Sequence, residues 1–229
     1  GGEWERALWL LEEMQEKHGL TPNVITYSAA ISACEKGGGE WERALWLLEE
    51  MQEKHGIAPN VITYSAAISA CANGGGEWER ALWLLEEMQE KHGIAPNVVT
   101  YNAAISACEK GGGEWERALW LLEEMQEKHG IAPDVFTYSS AISACEKGGG
   151  QWERALRLLE EMQEKHGLTP NVITYSAAIS ACAKGGGQWE RALSLLEEMQ
   201  EKHGIAPDVI TYSSAISACE KGGGEWERA

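Results

Sequence analysis

The sequence repeats itself every 37 residues. Proline and cysteine recur at this interval, and so do the tryptophans, at Trp4, Trp41, Trp78, Trp115, Trp152, Trp189 and Trp226. A chain built from near-identical units of this length stacks them in a row, because each unit contacts mainly its neighbours. The period therefore predicts a solenoid in which every unit is the same supersecondary structure.

The first half of each unit predicts an α-helix. In the unit 24–60 it reads VITYSAAISACEK, and Val24, Tyr27 and Ile31 fall on one helical face. Asn23 directly precedes this run and is a favourable N-cap residue. The same run, with few changes, opens the other units.

The second half of each unit predicts another helix. The triplet Gly37–Gly39 interrupts the first helix. The run WERALWLLEEMQEKH follows and places Leu45, Leu48 and Met51 on one face. Gly56 is suited to end this helix in a left-handed conformation. Each unit is thus predicted to be a helical hairpin, and the fold class is all-α, an α-solenoid of stacked antiparallel hairpins.

These hairpins divide the chain into a single repeat array. Five complete units are flanked by one partial unit with only a second helix and another with only a first helix. The boundaries are 1–23, 24–60, 61–97, 98–134, 135–171, 172–208 and 209–229. The chain opens and closes on the same seven residues without an initiator methionine, so we expect a piece of a longer array. Apolar faces left open at matching ends would also allow end-to-end self-association.

Composition restricts the function classes. The net charge is −17, from 36 acidic and 19 basic residues, which argues against a generic basic nucleic-acid binder. Most of the acid lies in the second helices. No apolar run approaches the ~18 residues of a membrane span, so we expect no membrane insertion. No targeting segment is visible in the sequence.

Cysteine and histidine do not form recognisable metal or redox motifs. Cysteines one unit apart would sit about 8–10 Å apart in packed helices, beyond the ~7 Å limit for a disulfide. We therefore interpret them as buried small hydrophobes in a reducing intracellular compartment. No CxxC or HxxxH spacing occurs. We expect no metal, no cofactor and, without a nucleophile–base pairing, no enzyme.

A second face of the first helix carries a different stripe. In the unit 24–60 this stripe is Ile25, Ser28, Ser32 and Lys36, an apolar residue followed by two hydroxyls and a cation. Asn73 replaces the lysine in the next unit. Stacked units would align these stripes along one surface, and such a surface is the usual binding face of a repeat protein.

These motifs resemble the pentatricopeptide repeat (PPR) family. The matching segments are V-[IV]-T-Y-[SN]-A-[AL]-I-S-A, then A-L-x-L-L-E-E-M, then G-[IL]-x-P-[ND], repeated along essentially the whole chain. The unit is two residues longer than the usual PPR unit, and the third glycine and His55 look like the extra residues. Tetratricopeptide repeats fit poorly, because their 34-residue period and first-helix signature differ. The resemblance implies a right-handed superhelix, a non-catalytic RNA-binding adaptor, and a mitochondrial or plastid location.

The resemblance also implies that each unit reads one base of single-stranded RNA with a few side chains. The two polar reading positions pair Ser28 with Asn60, Ser65 with Asn97, Asn102 with Asp134, Ser139 with Asn171, and Ser176 with Asp208. The base-stacking position is Ile25, Ile62, Val99, Phe136, Ile173 or Ile210. The stripe adds lysines for phosphate contact, namely Lys36, Lys110, Lys147, Lys184 and Lys221.

Hydrogen-bonding chemistry predicts a target for this code. Ionised Asp only accepts hydrogen bonds, which suits the ring N–H of guanine or uracil, whereas Asn suits adenine or cytosine. A small Ser leaves room for a purine, and the longer Asn102 reaches a pyrimidine. With the N-terminus toward the RNA 5′ end, as the resemblance implies, the five units predict 5′-AAUAG-3′.

Structural roles without RNA binding stay open for the same residues. Asn60 and Asp134 are good helix caps whether or not they bind RNA. A second row consists of Trp9, Trp46, Trp83 and Trp120, with Arg157 and Ser194 at the same place in later units. This row is either a protein-docking strip or partial packing between second helices. A protein-interaction scaffold, or a subunit of a larger assembly, is therefore the alternative function.

Overall fold

The computed structural model describes residues 3–222, which form helices and connecting turns without a strand. Gly1, Gly2 and residues 223–229, with Trp226 among them, lie outside the described residues. The first helices of the hairpins are α2 (Val24–Lys36), α4 (Val61–Asn73), α6 (Val98–Lys110), α8 (Val135–Lys147), α10 (Val172–Lys184) and α12 (Val209–Lys221). The second helices are α1 (Glu3–Glu16), α3 (Trp41–Glu53), α5 (Trp78–Glu90), α7 (Trp115–Glu127), α9 (Trp152–Glu164) and α11 (Trp189–Glu201).

The chain forms two compact units, which divide after Gly111. The first unit holds α1 to α6 and the second holds α7 to α12. Within each, a first helix packs on the second helix of its own hairpin and on the first helices of neighbouring hairpins. The prediction of an all-α array of helical hairpins is confirmed. Each described helix is too short or too polar to cross a bilayer.

A capping box starts each first helix. The backbone N–H of Thr63 donates to Asn60 Oδ1 at 3.0 Å, and Thr63 Oγ1 accepts from the backbone N–H of Asn60 at 3.2 Å. These bonds satisfy backbone donors that the first turn of a helix leaves without partners. The predicted cap Asn23 makes the same arrangement with Thr26.

The buried face of the first helix is the predicted one, and it is completed by alanine. Tyr27, Ile31 and Cys34 are fully buried. In the interior helix α4, Ala67 and Ala70 are also fully buried. The small side chains let α4 contact α2 and α6 as well as its own second helix.

The buried face of the second helix is wider than the sequence predicted. Leu48 and Met51 are buried as expected, but Leu47 is fully buried whereas Leu45 is only half-buried. The reason is that α3 packs against both α2 and α4, so its apolar side must cover two partners. Neighbouring second helices within each unit have no Cα atoms within 8 Å of each other among the described residues.

Glycine permits the close approach of successive hairpin turns. Gly39 has φ +76, and a Cβ atom there would lie 2.1 Å from the backbone nitrogen of Gly74. A Cβ atom on Gly74 would lie 2.6 Å from Trp41 Cδ1. The third glycine of each triplet therefore takes a left-handed conformation and also makes a backbone contact that excludes any side chain. The indole of Trp41 covers the same turn.

The last described helix, α12, exposes apolar residues that stacking buries in the other first helices. Tyr212 and Ile216 of α12 are 46% and 58% exposed, whereas their counterparts Tyr175 and Ile179 are fully buried. Among the described residues, no second helix follows α12 to cover them. The predicted end-to-end association stays a prediction.

Candidate nucleic-acid interface

Every first helix presents one large apolar side chain to solvent near its N-terminus. These residues are 54% to 73% exposed, and they are Ile25, Ile62, Val99, Phe136, Ile173 and Ile210. All belong to the predicted stacking position. Each lies one turn before the first polar residue of the stripe, a serine except for Asn102 in α6, at the same end of the helix as the N-cap residue. An apolar side chain held in water on a rigid helix is suited to contact a flat apolar ligand surface.

The serines of the predicted reading pairs lie at contacts between first helices. Ser28 and Ser65 are 8% and 7% exposed. Ser28 Oγ is 2.9 Å from Thr63 Oγ1, and Ser65 Oγ is 3.0 Å from Thr100 Oγ1. In the second unit Ser139 and Ser176 make the matching contacts, with Thr174 at 2.8 Å and Thr211 at 2.6 Å. Each serine therefore already has a hydrogen-bond partner one hairpin later.

The threonine of this contact also joins the second member of the reading pair. Thr174 Oγ1 lies 3.0 Å from Asn171 Oδ1, and Thr211 Oγ1 lies 2.7 Å from Asp208 Oδ1. Thr174 and Thr211 are fully buried. The two polar residues assigned to one base are thus connected through a single threonine hydroxyl, although 32 residues separate Ser139 from Asn171 in the chain.

The direction of the hydrogen bonds among Ser176, Thr211 and Asp208 follows from the single proton that each hydroxyl carries. An ionised Asp208 only accepts, and hydrogen bonds from the Thr211 backbone and hydroxyl lower the pKa of this carboxyl. The single hydroxyl proton of Thr211 therefore points to Asp208 Oδ1, and Ser176 Oγ must donate to Thr211 Oγ1. Ser176 is left with lone pairs alone to offer a ligand.

The threonine hydroxyl also donates to the cap residue in the repeat that ends in asparagine. The backbone N–H of Thr174 donates to Asn171 Oδ1 at 3.0 Å, so this atom must be the amide oxygen. Thr174 then donates to it as well, and at its contact with Ser139 it can only accept. Ser139 Oγ also lies 2.7 Å from the carbonyl oxygen of Val135, a second acceptor for the same proton.

The caps therefore present opposite chemistry on the side away from the helix. With Oδ1 engaged by the helix, exposed Asn171 has the N–H donors of Nδ2 left for a ligand. Exposed Asp208 has the second carboxylate oxygen, which accepts. Asn60 and Asn97 repeat the asparagine geometry, with the backbone N–H of the threonine 3.0 Å from Oδ1 in both.

The remaining reading pair spans the two compact units, so each member is described separately. Asn102 is half-buried in α6. Asp134 caps α8, where its Oδ1 accepts from the backbone N–H of Thr137 at 2.9 Å.

The predicted phosphate lysines are all exposed, and Lys110 and Lys184 contact side chains one hairpin away. Lys110 Nζ donates to Asn73 Oδ1 at 2.9 Å. Lys184 Nζ forms an ion pair with Glu146, which also accepts from Ser180 Oγ at 3.0 Å. Lys36, Lys147 and Lys221 are exposed at the same position of other first helices. Sequence reasoning missed these contacts, since partners 37 or 38 residues away become neighbours only through stacking.

The second helices form a different surface. Trp9, Trp46, Trp83 and Trp120 are 46% to 52% exposed. Between α3 and α5 lies a groove of 380 Å³ lined by Leu48, Gln52, Arg80 and Trp83 among others. Its flanks carry ion pairs such as that of Lys91 with Glu87 at 2.7 Å.

The cysteines lie in the first-helix core. All six are buried free thiols. Burial raises the pKa of Cys71 to about 12 and that of Cys182 to about 11. A thiol with so high a pKa is a poor nucleophile at neutral pH. Within residues 3–222, three or more metal-ligating side chains never cluster.

Family models match most of the sequence. The model described as "Pentatricopeptide repeat domain" matches residues 2–37, 10–74, 46–111 and 157–222. The models "PPR repeat family" and "PPR repeat" match 96–147 and 136–166. This chain belongs to the pentatricopeptide repeat family. No protein sequence with a curated function matches it.

Solved PPR structures share the fold. The chain is 34% identical to PPR10 from maize, with a TM-score of 0.69 over 97% of this chain and 30% of that one. In the complex of PPR10 with an 18-nt psaJ RNA element, identity is 29% and the TM-score 0.56, over 94% of this chain and 34% of that one. The chain therefore spans only about a third of the PPR10 chains it matches.

A more distant structure supports the fold alone. The nuclear proteinaceous RNase P 2 from Arabidopsis thaliana is 17% identical, with a TM-score of 0.71 over 88% of this chain and 44% of that one. An enzyme thus shares the PPR fold over part of its own length.

Proposed function

We propose that this PPR chain binds single-stranded RNA sequence-selectively, with one base per repeat, as a non-catalytic adaptor in a mitochondrion or plastid. The observation that carries the proposal is the repeated combination of one exposed apolar side chain and one polar pair at the start of each first helix. PPR10, about a third of which resembles nearly the whole of this chain, occurs in complex with an RNA element.

Exposed apolar residues supply contact area for the bases. Ile25 and Ile62 occupy the same place in successive hairpins and are 73% and 61% exposed. A base held between two such side chains would bury its faces, which every base offers regardless of sequence. We expect this contact to supply affinity and the polar pairs to supply selectivity.

The polar pairs present chemistry that differs between bases. Asn171 offers N–H donors, which match the ring-nitrogen acceptor of adenine. Asp208 offers an acceptor, which matches the ring N–H of guanine. With Ser139 and Ser176 leaving room for purines, these two repeats read A and G in our proposed target 5′-AAUAG-3′.

Electrostatics is a minor contributor in this proposal. Each neutralised phosphate on a single strand releases roughly 0.7 counterions. For Lys110 and Lys184, phosphate contact would replace the existing contacts with Asn73 and Glu146. We therefore expect a salt dependence shallower than the number of stripe lysines suggests.

Filter binding tests the proposal directly. An unstructured oligomer that contains AAUAG is titrated against one with the same bases scrambled. We expect tighter binding of AAUAG, by roughly five-fold for each hydrogen bond lost in the scrambled sequence. Equal or undetectable binding of both oligomers contradicts sequence-selective recognition.

Asp208→Asn is the matched variant, because it converts the last reading pair into the Ser/Asn pair of the preceding repeat. It keeps an N-cap residue on α12. We expect its preference at the fifth base to move from guanine to adenine, with the other four bases unaffected.

A protein-interaction scaffold is the second candidate. Half-exposed tryptophans on the second helices and the net charge of −17 favour it. Replacing Trp9, Trp46 and Trp83 with serine, the residue found at position 194, separates the two functions. RNA binding that survives this change assigns recognition to the first helices, and RNA binding absent from the unaltered chain at low salt favours the scaffold.

A further inference from the structure

In the first helices from α4 to α12, the threonine three residues into the helix has no surface to offer a ligand, whereas Thr26 of α2 is half-buried. Thr63, Thr100, Thr137, Thr174 and Thr211 are all fully buried. The hydroxyls of Thr174 and Thr211 nevertheless contact both polar residues that the proposed function assigns to one base. A side chain in this position can influence base recognition only through its two neighbours.

Helix capping does not by itself require this hydroxyl to reach the serine. The backbone N–H of Thr174 already satisfies Asn171 Oδ1, at 3.0 Å. The hydroxyl bond to the same oxygen holds the amide plane in one orientation and keeps Nδ2 on the solvent side. Without it, the amide can rotate about its terminal torsion, which has broad wells.

The hydroxyl also determines the proton of the serine. Because Thr211 donates to Asp208, it can only accept from Ser176, and Ser176 then offers lone pairs toward a ligand. A valine in place of Thr211 would remove this acceptor and free the Ser176 hydroxyl to rotate and present its proton, whereas the Ser139 hydroxyl keeps the carbonyl oxygen of Val135 as an acceptor at 2.7 Å. The buried Thr211 oxygen thus determines what both residues of its pair present, and the Thr174 oxygen orients Asn171.

We infer that Thr174 and Thr211 are positioning residues for base recognition, each coupling the serine of one repeat to the Asn or Asp that ends that repeat. This inference rests on the proposed RNA function and adds a residue to it. Thr63 and Thr100 hold the equivalent positions in the first unit, where they join Ser28 to Asn60 and Ser65 to Asn97.

The test compares base preference between two repeats of the same unit. Thr174→Val removes the hydroxyl but keeps the branched shape, and Thr211→Val does the same one repeat later. Each variant is titrated with AAUAG, with AAUGG, which changes the fourth base, and with AAUAA, which changes the fifth. We expect Thr174→Val to lower the preference at the fourth base roughly five-fold, the equivalent of one hydrogen bond, and to leave the fifth unchanged. Thr211→Val should do the reverse.

Two further variants separate positioning from stability. Thr174→Ser restores the hydroxyl and should restore the preference at the fourth base. Ile179→Val removes one buried methylene equivalent from the same helix, away from the hydrogen-bonded chain, and should lower the unfolding midpoint without changing either preference.

The possible results distinguish failure of the proposed RNA-binding function from failure of the positioning role of the threonines. Equal affinity of the unaltered chain for all three oligomers overturns the proposed function and the inference together. A folded Thr174→Val variant that keeps its preference at the fourth base overturns the inference alone. The inference is also overturned if Ile179→Val loses as much preference as Thr174→Val does.

Discussion

First helices and second helices of this chain pack by different rules. A first helix such as α4 contacts two other first helices through buried alanines, and its ends are fixed by a capping box and a glycine turn. A second helix such as α5 contacts the first helices α4 and α6, has no side-chain cap at Glu77, and keeps charged residues along its flanks. The first helices therefore hold neighbouring hairpins together, and the second helices cover them.

This difference explains where a recognition surface can form. In the proposed RNA complex the spacing between bases must match the spacing between repeats, so the predicted reading residues need a rigid register. The glycine turns that follow the first helices supply it through close backbone contacts such as that of Gly76 with Gly111. Second helices leave grooves with adaptable side chains, which suit looser contacts.

Glycine substitution should give the largest effect. Gly76→Ala would place a Cβ atom 2.2 Å from the backbone nitrogen of Gly111, at φ +78. We expect a loss of more than about 3 kcal/mol in the free energy of unfolding, because neither backbone can move without separating two hairpins. Gly93→Ala, at the open end of α5 with φ +62 and no atom within 4 Å, is the control and should lose about 1 kcal/mol. Urea unfolding followed by circular dichroism measures both, and equal losses would remove the distinction between the two kinds of helix.

Side-chain volume should give the next largest effect. Ala67→Leu overpacks the contact between first helices and is expected to destabilise by about 1–3 kcal/mol. Trp83→Ser changes a larger side chain but one that is 50% exposed on a second helix, so we expect a loss below about 1 kcal/mol. A larger loss for Trp83→Ser in the same unfolding measurement would show that the tryptophans hold second helices together.

Cap removal sharpens the contrast at the helix ends. Asn97→Ala removes the hydrogen bond to the Thr100 backbone, 3.0 Å long, and should lose about 1 kcal/mol. Glu77 makes no side-chain cap hydrogen bond, so Glu77→Ala should change the unfolding free energy by less than about 0.5 kcal/mol. Similar values for the two variants would contradict the difference in capping.

The smallest expected effect is the loss of folding stability at acid pH that comes from Asp208. Hydrogen bonds from Thr211 lower the folded-state pKa of Asp208 below its ordinary value of 3.8. Its stabilising contribution is therefore complete above that value and is lost as the pH falls through the lower folded pKa. Asp208→Asn should remove this dependence, which pH titration of the chain and the variant, followed by NMR of α12, would detect. Identical acid profiles of the two proteins would contradict it.

The helix boundaries could be predicted from the sequence because they depend on local residues. Glycine and the Asn or Asp caps set the first helix at Val24–Lys36, as the pattern indicated. The second helix ends at Glu53, two residues before the predicted end. Leu47 was missed in the core because periodicity alone assumes one packing partner, and a second helix has two.

The reading residues themselves followed from the family resemblance, but their connection did not. Ser139 and Thr174 lie 35 residues apart, and nothing in a local pattern indicates that their hydroxyls meet. The ion pair of Lys184 with Glu146 is equally invisible, since the two residues lie 38 positions apart and become neighbours only through stacking.

The 37-residue period and its apolar faces determined a stack of helical hairpins, because such units bury their surfaces only against one another. The rotation and rise from one hairpin to the next were decided by tertiary packing of alanine, glycine and tryptophan. That geometry alone brings Thr174 between Ser139 and Asn171, since hydrogen bonds form only within about 3 Å and a small change in helix spacing would separate these atoms.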